Sequence, residues 1–480
     1  MPQSVVCASH MAPNLYIPTI GLEVHAELKT QTKMFCNSKN DPDEKRPNVN
    51  VCPICMAHPG TLPTINREAV KCILKIGAAV GGELSNYTEF DRKNYFYPDI
   101  PKGYQISQYK YPLVSGGMLN KVALTRVHLE EDTARSSHEG ESVSLIDYNR
   151  AGVPLMELVT EPVIHSAEEA VAFAKELQLL LRTLEVGEAN LEKGEMRIEA
   201  NISVSKDGKR GTKVEVKNLN SFKAVEQAIK YEITRQSVLI EKGEKVVQET
   251  RGWDENKEIT FSQRLKEDSH DYRYFPDPDL PKLYLNEIKE FSLGEIKKSL
   301  PELPQSKRSR YQALGLKDDD VETIVQNKLL TDFFDEVVSG KEKDFALRAA
   351  NYLTSDVIGI QTKKGSSHFG KINPANFRQI IEMIFGGELS SRGAKDLLEI
   401  LYEEGGGVKD QAQKQGLIQV SSTEDLAKLV EKIIAENTRI AEGVRGGKIT
   451  AIQSLVGLAM KASNGSANPQ KLQELFKEKI

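Results

Sequence analysis

The sequence predicts an α+β fold over residues 17–294 and an all-α remainder over 295–480. Three observations carry that division. Four short segments, residues 21–28, 127–130, 198–204 and 213–217, place an acid, amide, His or Lys at every second position with aliphatics between. A period of two marks strands with one buried face. Helical stretches with recognisable caps fall among these strands, which argues for an antiparallel sheet covered on one face and open on the other. Beyond Pro301-Glu302-Leu303-Pro304 the alternation nearly vanishes and helical spacing takes over.

In chain order, the first strand is followed by a helix after Asn66 with Val70, Ile73, Leu74 and Gly77 on one face, stopping at Gly81-Gly82. The second strand precedes a helix opened by the capping box Ser166-Ala167-Glu168-Glu169 and continued through Val171, Ala174, Leu177, Leu181 and Leu184 to Gly187. The third and fourth strands lead to a helix after Ser221 that runs past Val225, Ile229, Ile233 and Ile240. Residues 94–101 and 273–281 are two similar loops, rich in Tyr, Phe and Pro, that read as rigid site walls. Residues 305–404 read as helices joined by polar turns, and Gly405-Gly406-Gly407 as a linker. A helical tail follows, with Leu426, Leu429, Val430 and Ile433 on one helix, Ile449, Ile452 and Val456 on the next, and Asn468 capping a last one that starts at Pro469. The predicted organisation is an N-terminal extension (1–16), a sheet-bearing domain (17–294), a helical domain (295–404) and a tail (405–480).

Alternation sorts the strand residues into two faces. Leu22, Val24, Leu129, Ile198, Ala200, Val214 and Val216 are the candidate core. Glu23, His25, His128, Glu130, Glu199, Asn201, Glu215 and Lys217 form the other face. Solvated strand faces favour Thr, Lys, Arg and mixed charge, whereas this one is dominated by carboxylates. Hard oxygen ligands in that number suit Mg²⁺ and, through it, the phosphates of a nucleotide. The alternative is a charged sheet that merely looks outward.

Composition is that of an ordinary soluble protein, 39% hydrophobic and 28% charged, and no window approaches a membrane span. The first 18 residues contain no Lys or Arg, which argues against a signal or transit peptide and for a cytoplasmic protein without a membrane role. A net charge of −5 excludes a surface that binds nucleic acid as a whole, so any RNA contact must be local. Two segments offer one. Arg92 and Lys93 are interleaved with Tyr95, Phe96 and Tyr97, and the tail from Gly443 onward sets Arg445, Lys448, Lys461, Lys471, Lys477 and Lys479 against two glutamates.

Five cysteines (Cys7, Cys36, Cys52, Cys55, Cys72) make no disulfide framework in a chain this long. Cys52 and Cys55 have knuckle spacing, and Cys36 adds a third thiolate to a candidate Zn²⁺ site. His58 is the local candidate for the fourth ligand, Ser38 being a poor one. Residues 365–372 nearly spell a P-loop but carry Ile372 where Ser or Thr should follow Lys371. No nucleophile elbow or persuasive Cys–His pairing is present.

Several motifs are long and specific: Ile20-Gly21-Leu22-Glu23-Val24-His25, Phe90-Asp91-Arg92-Lys93-Asn94-Tyr95-Phe96-Tyr97-Pro98-Asp99, Tyr104-Gln105-Ile106-Ser107-Gln108, Leu129-Glu130-Glu131-Asp132, Lys217-Asn218-Leu219-Asn220-Ser221-Phe222, Asp271-Tyr272-Arg273-Tyr274-Phe275-Pro276 and, in the tail, Met460-Lys461-Ala462-Ser463-Asn464-Gly465. Together they resemble the B subunits of the glutamyl-tRNA(Gln)/aspartyl-tRNA(Asn) amidotransferases. That resemblance implies a cradle domain related to the glutamine synthetase fold, a helical domain, and a mobile helical tail that touches tRNA. It implies ATP- and Mg²⁺-dependent phosphorylation of the side-chain carboxylate of Glu or Asp misacylated on tRNA. Ammonia would come from a glutaminase A subunit, with a small C subunit clasping the pair.

On this resemblance the metal ligands are Glu23, His25 and Glu130, with Glu131, Glu199 and Glu215 as further candidates. Glu23, His25, Glu130 and Lys217 form the catalytic set. Glu199, Asn201, Glu215 and Asn218 would contact ATP or phosphate, and Arg92, Lys93, Arg445, Lys448 and Lys461 the tRNA. Zinc-bearing members carry Cys-x-Cys before the Cys-x-x-Cys pair, and here Ser38 takes the second place. A noncatalytic tRNA-binding scaffold and an amide ligase acting on a small acid are the competing functions.

Overall fold

The computed structural model describes residues 16–139, 143–207, 209–265, 272–419, 423–445, 449–463 and 467–480. Cys7, Asp271, Lys448, Asn464, Gly465 and all of the N-terminal extension except Tyr16 lie outside the described residues. The chain forms two compact units, Met1–Leu303 and Pro304–Ile480.

The first unit is α+β. Its centre is β1, Ile17–Glu27, at the middle of a 10-stranded sheet. The other strands that matter are β2 (Asp91–Asn94), β3 (Tyr104–Ser107), β4 (Val122–Glu131), β5 (Pro154–Thr160), β6 (Met196–Ser205), β7 (Val214–Leu219), β8 (Glu249–Asp254) and β9 (Ile259–Leu265). The large sheet runs β9-β8-β7-β6-β1-β5-β4 and continues through Val114–Ser115 to Glu83–Leu84. β2 pairs with β3 on one side and with Phe275–Pro276 on the other in a separate three-stranded sheet.

The wholly antiparallel expectation needs one correction: β7 and β8 pair in parallel. Helix α3, Phe222–Glu241, lies between them in sequence, and a parallel pair requires such a crossover. Along β1 the inward residues Ile20, Leu22, Val24 and Ala26 are all at most 1% exposed. They share one apolar cluster with Leu129, Ile198, Ala200 and Val216 of neighbouring strands. The same cluster takes in Ile73 and Leu74 of α1 (Arg67–Ala79), Leu177 and Leu181 of α2 (Ala167–Thr183), and Val225 and Ile229 of α3. Three helices therefore cover one face of the sheet, as period-two burial demands.

Each helix begins at the cap that the sequence supplies. Asn66, Ser166 and Ser221 accept hydrogen bonds from the backbone N–H groups of Ala69, Glu169 and Ala224. The Glu169 carboxylate completes its box by accepting from the N–H of His165, one residue ahead of the cap. Gly77 lets α1 approach the sheet closely, since a Cβ there would stand 2.4 Å from a Val114 methyl.

The second unit is built of helices among its described residues and includes an isolated bridge between Leu389 and Ile418. Residues 365–372, the near P-loop, form a turn between helices Ile358–Lys364 and Pro374–Phe385, without a strand ahead of them. The His368 carbonyl there accepts from Tyr402 and Gln361. Leu426, Val430, Ile433, Ile452, Leu455, Leu472 and Phe476 of the tail bury one another in a cluster of their own.

Gly77→Val forces Val114 and Leu84 to shift, and overpacking of this kind costs about 1–3 kcal/mol. Urea unfolding of the first unit, followed by the fluorescence of Trp253, should move to lower denaturant in that variant. An unchanged midpoint would contradict the close helix–sheet packing.

Candidate functional site

The uncovered face of the sheet collects the ionisable residues into rows. Residues directly opposite each other on antiparallel strands share a face. One row is His128, Glu157, His25 and Arg197, read across β4, β5, β1 and β6. The next is Arg126, Val159, Glu23 and Glu199. On the other side of the first row lie Glu130, Leu155 and Glu27.

Distances confirm one interlocked cluster. His25 Nε2 stands 3.4 Å from Glu157 Oε2, 3.5 Å from Glu130 Oε1 and 3.9 Å from Glu23 Oε1. His128 Nε2 lies 3.3 Å from the same Glu157 oxygen. Ser107 of β3 donates its hydroxyl to Glu130 Oε2 at 3.1 Å, and Arg126 donates to Glu157 Oε1 at 3.2 Å. On the β7 side, Lys217 Nζ sits 2.8 Å from Glu199 and 3.5 Å from Glu215. Asn201 stands opposite Glu215, and its buried Oδ1 has no hydrogen-bond partner.

A register shift between Ile198 and Ala200 sets Lys217 and Asn218 together against Glu199. Asn218 is the extra residue of this bulge and adopts a left-handed φ of 65°, which Asn tolerates well. It is exposed rather than turned into the cluster.

The crowded charges perturb one another's protonation. Burial and the charges of Glu157 and Glu199 push the Glu23 carboxyl up to about 7, against the pull of His25 and Lys217. Burial works against a charged His25, but its hydrogen bond to Glu157 and the charges of Glu130, Glu157 and Glu23 prevail and raise it to about 9. Burial also opposes the charge on Glu157, yet His128 and His25 hold that carboxyl well below the usual carboxylate range.

Three overlapping groups bring ligand atoms within 4.8 Å of one another: Glu23, His25 and Glu157; His128, Glu130 and Glu157; and Glu23, Glu199 and Glu215. This oxygen-rich donor set, beside an orphaned amide oxygen, fits divalent metal. A cavity of about 550 Å³ opens onto it, lined among others by Glu23, Lys93, Lys217, Tyr272 and Tyr274. That volume suits a nucleotide-sized ligand.

Several sequence-predicted residues stand elsewhere. Glu131 does not join the cluster: it follows Glu130 on a strand, so it points to the opposite face, where Lys102 and the N–H of Ile106 bind its carboxylate at 2.7 and 2.9 Å. Arg92 is engaged by Asp277 at 2.8 Å and Asp279 at 2.9 Å and lies over the Tyr104 ring. Lys93, its neighbour on β2, takes the other side. Burial disfavours its charge, but Glu130, the Tyr274 phenol and Glu157 outweigh that and raise its pKa. Lys93 lines the same cavity as Glu23 and Glu157. Of the tail cations, Arg445 and Lys461 are exposed.

Cys36, Cys52 and Cys55 gather their thiols within 4.8 Å. His58 is exposed and is not part of that group; it lines the neighbouring cavity instead.

The main residue missing from the sequence-predicted set is Glu157, which touches both histidines. On β5 its same-face neighbours Leu155 and Val159 are apolar, so Pro154–Thr160 reads as a continuous apolar run and hides the alternation. One acid embedded in such a run was the available signal. Asp132 and Arg197, joined at 2.7 Å beside the cluster, lacked any sequence signature of their pairing.

Residues 18–289 match the model of the GatB/GatE catalytic domain, and residues 332–480 that of the GatB domain. An aspartyl/glutamyl-tRNA(Asn/Gln) amidotransferase B subunit from Thermomicrobium roseum is 44% identical over 477 residues, 96% of this chain and 98% of that protein. The chloroplastic/mitochondrial glutamyl-tRNA(Gln) amidotransferase B subunit of Ostreococcus lucimarinus is 41% identical, covering 98% of this chain and 97% of that one. The aspartyl/glutamyl-tRNA(Asn/Gln) amidotransferase B subunit of Thermoanaerobacter pseudethanolicus is 40% identical, covering 97% and 99%.

Glu23 and His25 both hold protons more tightly folded than unfolded, their ordinary values being 4.5 and 6.5. In the absence of metal, stability should therefore fall as pH rises, from 4.5 through about 7 for Glu23 and from 6.5 through about 9 for His25. Mg²⁺ competes with those protons, so its stabilising effect should grow between about pH 6 and about pH 8.5. Thermal melts with and without added Mg²⁺ measure this gap. A gap that shrinks with rising pH would contradict the cluster's reading as a cation site.

Proposed function

The chain belongs to the family of amidotransferase B subunits, and from that premise we propose that its acidic face binds ATP with Mg²⁺ and activates the side-chain carboxylate of a misacylated tRNA. The general activity is tRNA-dependent transamidation, a carbon–nitrogen ligase reaction in protein biosynthesis. The supporting observation is the set of overlapping acid and His groups flanked by Lys93 and Lys217 at one cavity, within the span that matches the catalytic-domain model.

A carboxylate is a poor electrophile, so it needs a leaving group before ammonia can attack. Its oxygen takes the γ-phosphoryl group, the bond to ADP breaks, and an acyl phosphate forms. Ammonia then displaces phosphate and leaves the amide. Two anions must meet in the first step. Glu23, His25, Glu130 and Glu157, with Glu199 and Glu215, would hold a divalent cation, which would neutralise phosphate charge. Lys217 and Lys93 add fixed positive charge from two sides of the cavity. Ser107 orients Glu130, Arg126 orients Glu157, and Asn201 offers an unpaired oxygen beside Glu215.

The cradle then works as a relative of the glutamine synthetase fold. A glutaminase A subunit supplies ammonia, and a small C subunit holds the pair together. Residues 405–480 act as a tail domain that contacts tRNA through Arg445 and Lys461. Among the described residues no helix is long and apolar enough to cross a membrane, and the reaction belongs in the compartment where its tRNA is misacylated.

Two variants in the assembled complex test this reading. Glu130→Gln should lower tRNA-dependent ATP cleavage at least about 100-fold, equivalent to about 2.7 kcal/mol, while glutamine hydrolysis is largely retained. Wild-type transamidation in that variant would overturn the assignment and favour a tRNA-binding scaffold. Lys93→Met should lower kcat with tRNA affinity preserved. Weakened tRNA binding at unchanged kcat would return Lys93 to an RNA-contacting role. ATP turnover in the absence of tRNA would point to a ligase acting on a small acid.

A further inference from the structure

The thiol group departs from a four-ligand zinc centre in a specific way. Two turns build it. In the first, the N–H of Lys33 donates to the Ser38 carbonyl at 3.0 Å, which brings Cys36 and Ser38 to one side. In the second, Met56 N–H returns to the Cys52 carbonyl at 3.0 Å, and Cys52 N–H donates to Cys55 Sγ at 3.1 Å. With zinc–sulfur bonds of about 2.3 Å, two corners of a tetrahedron lie about 3.8 Å apart. Cys52 Sγ and Cys55 Sγ are separated by 3.8 Å. Ser38 Oγ is also 3.8 Å from Cys55 Sγ. The serine thus stands about a tetrahedral edge from the Cys55 thiol, whereas His58 is exposed and outside the group.

A second observation concerns charge. Lys33 is 0% exposed, and its ammonium lies 3.9 Å from Cys55 Sγ and 3.1 Å from the Tyr148 carbonyl. Zinc bound by three thiolates carries one net negative charge, and Lys33 cancels it. A neutral hydroxyl at the fourth corner leaves the assembly neutral. We propose that this chain holds zinc through Cys36, Cys52 and Cys55 with the Ser38 hydroxyl at the fourth corner and Lys33 as the built-in counter-charge. Three thiolates and a weak oxygen ligand release metal more readily than four thiolates do.

Cobalt substitution of the full-length chain in its complex tests this, because cobalt–thiolate charge-transfer absorption counts sulfur ligands and ignores any Co²⁺ on the carboxylate face. The expected result is about one thiolate-bound metal per chain. Ser38→Cys should raise the charge-transfer intensity by about one third and slow removal by a chelator at least about tenfold. Ser38→Ala should keep the three-thiolate bands and speed removal, and His58→Ala should change neither. Absence of thiolate-bound cobalt from the wild-type chain would overturn the centre. Unchanged bands and release in Ser38→Cys, or loss of metal in His58→Ala, would overturn the place given to Ser38.

Discussion

Mutual repulsion among the carboxylates of one sheet face is the constraint on which this molecule is organised. Glu23, Glu130, Glu157, Glu199 and Glu215 would separate if their side chains were free to do so. They are held because the alternate residues of the same strands, Leu22, Val24, Leu129, Ile198 and Val216, are buried against three helices. Slipping any strand by one residue would relieve the repulsion only by exposing its entire apolar set. The hydrophobic core thereby fixes the geometry of a polar site with which it shares no atoms.

The strain is relieved locally by cations of three kinds. Arg126, Lys93 and Lys217 provide fixed charge at the rim. Protons are retained on Glu23 and His25 to unusually high pH. Divalent metal is the third in the proposed function, and it alone would be exchanged together with a nucleotide. Under the proposed function such a site would be preorganised for phosphoryl transfer, since the stabilising charges are in place before the substrate arrives. The regular β6–β7 register sets Lys217 opposite Glu199, and the bulge at Asn218 brings Leu219 rather than Asn218 opposite Ile198 in the core.

Much of this was legible in the sequence, and the limits have physical causes. Period-two alternation located the strands and both faces, because antiparallel strands with one wet face print that pattern directly. Caps at Asn66, Ser166 and Ser221 fixed the helix starts. Glu157 escaped because its strand has apolar neighbours on both faces. Glu131 was included on sequence adjacency to Glu130, although strand geometry sends adjacent residues to opposite sides. Lys93 and Arg92 likewise look like one basic patch in the chain but part to opposite sides of β2. The parallel β7–β8 pair depends on where the chain lands after a helix, which local pattern does not encode. His58 had suitable spacing for the thiol centre, but spacing says nothing of the direction in which the 52–57 turn leaves its side chain.

The most direct test of the account is the location of metal and triphosphate together. Crystals of the complex grown with Mn²⁺ and a nonhydrolysable ATP analogue give the metal positions by anomalous scattering. The account predicts manganese about 2.0–2.5 Å from carboxylate oxygens of Glu23, Glu130 or Glu157, with the triphosphate in the cavity between Lys93 and Lys217. Manganese and triphosphate bound away from this face would contradict it.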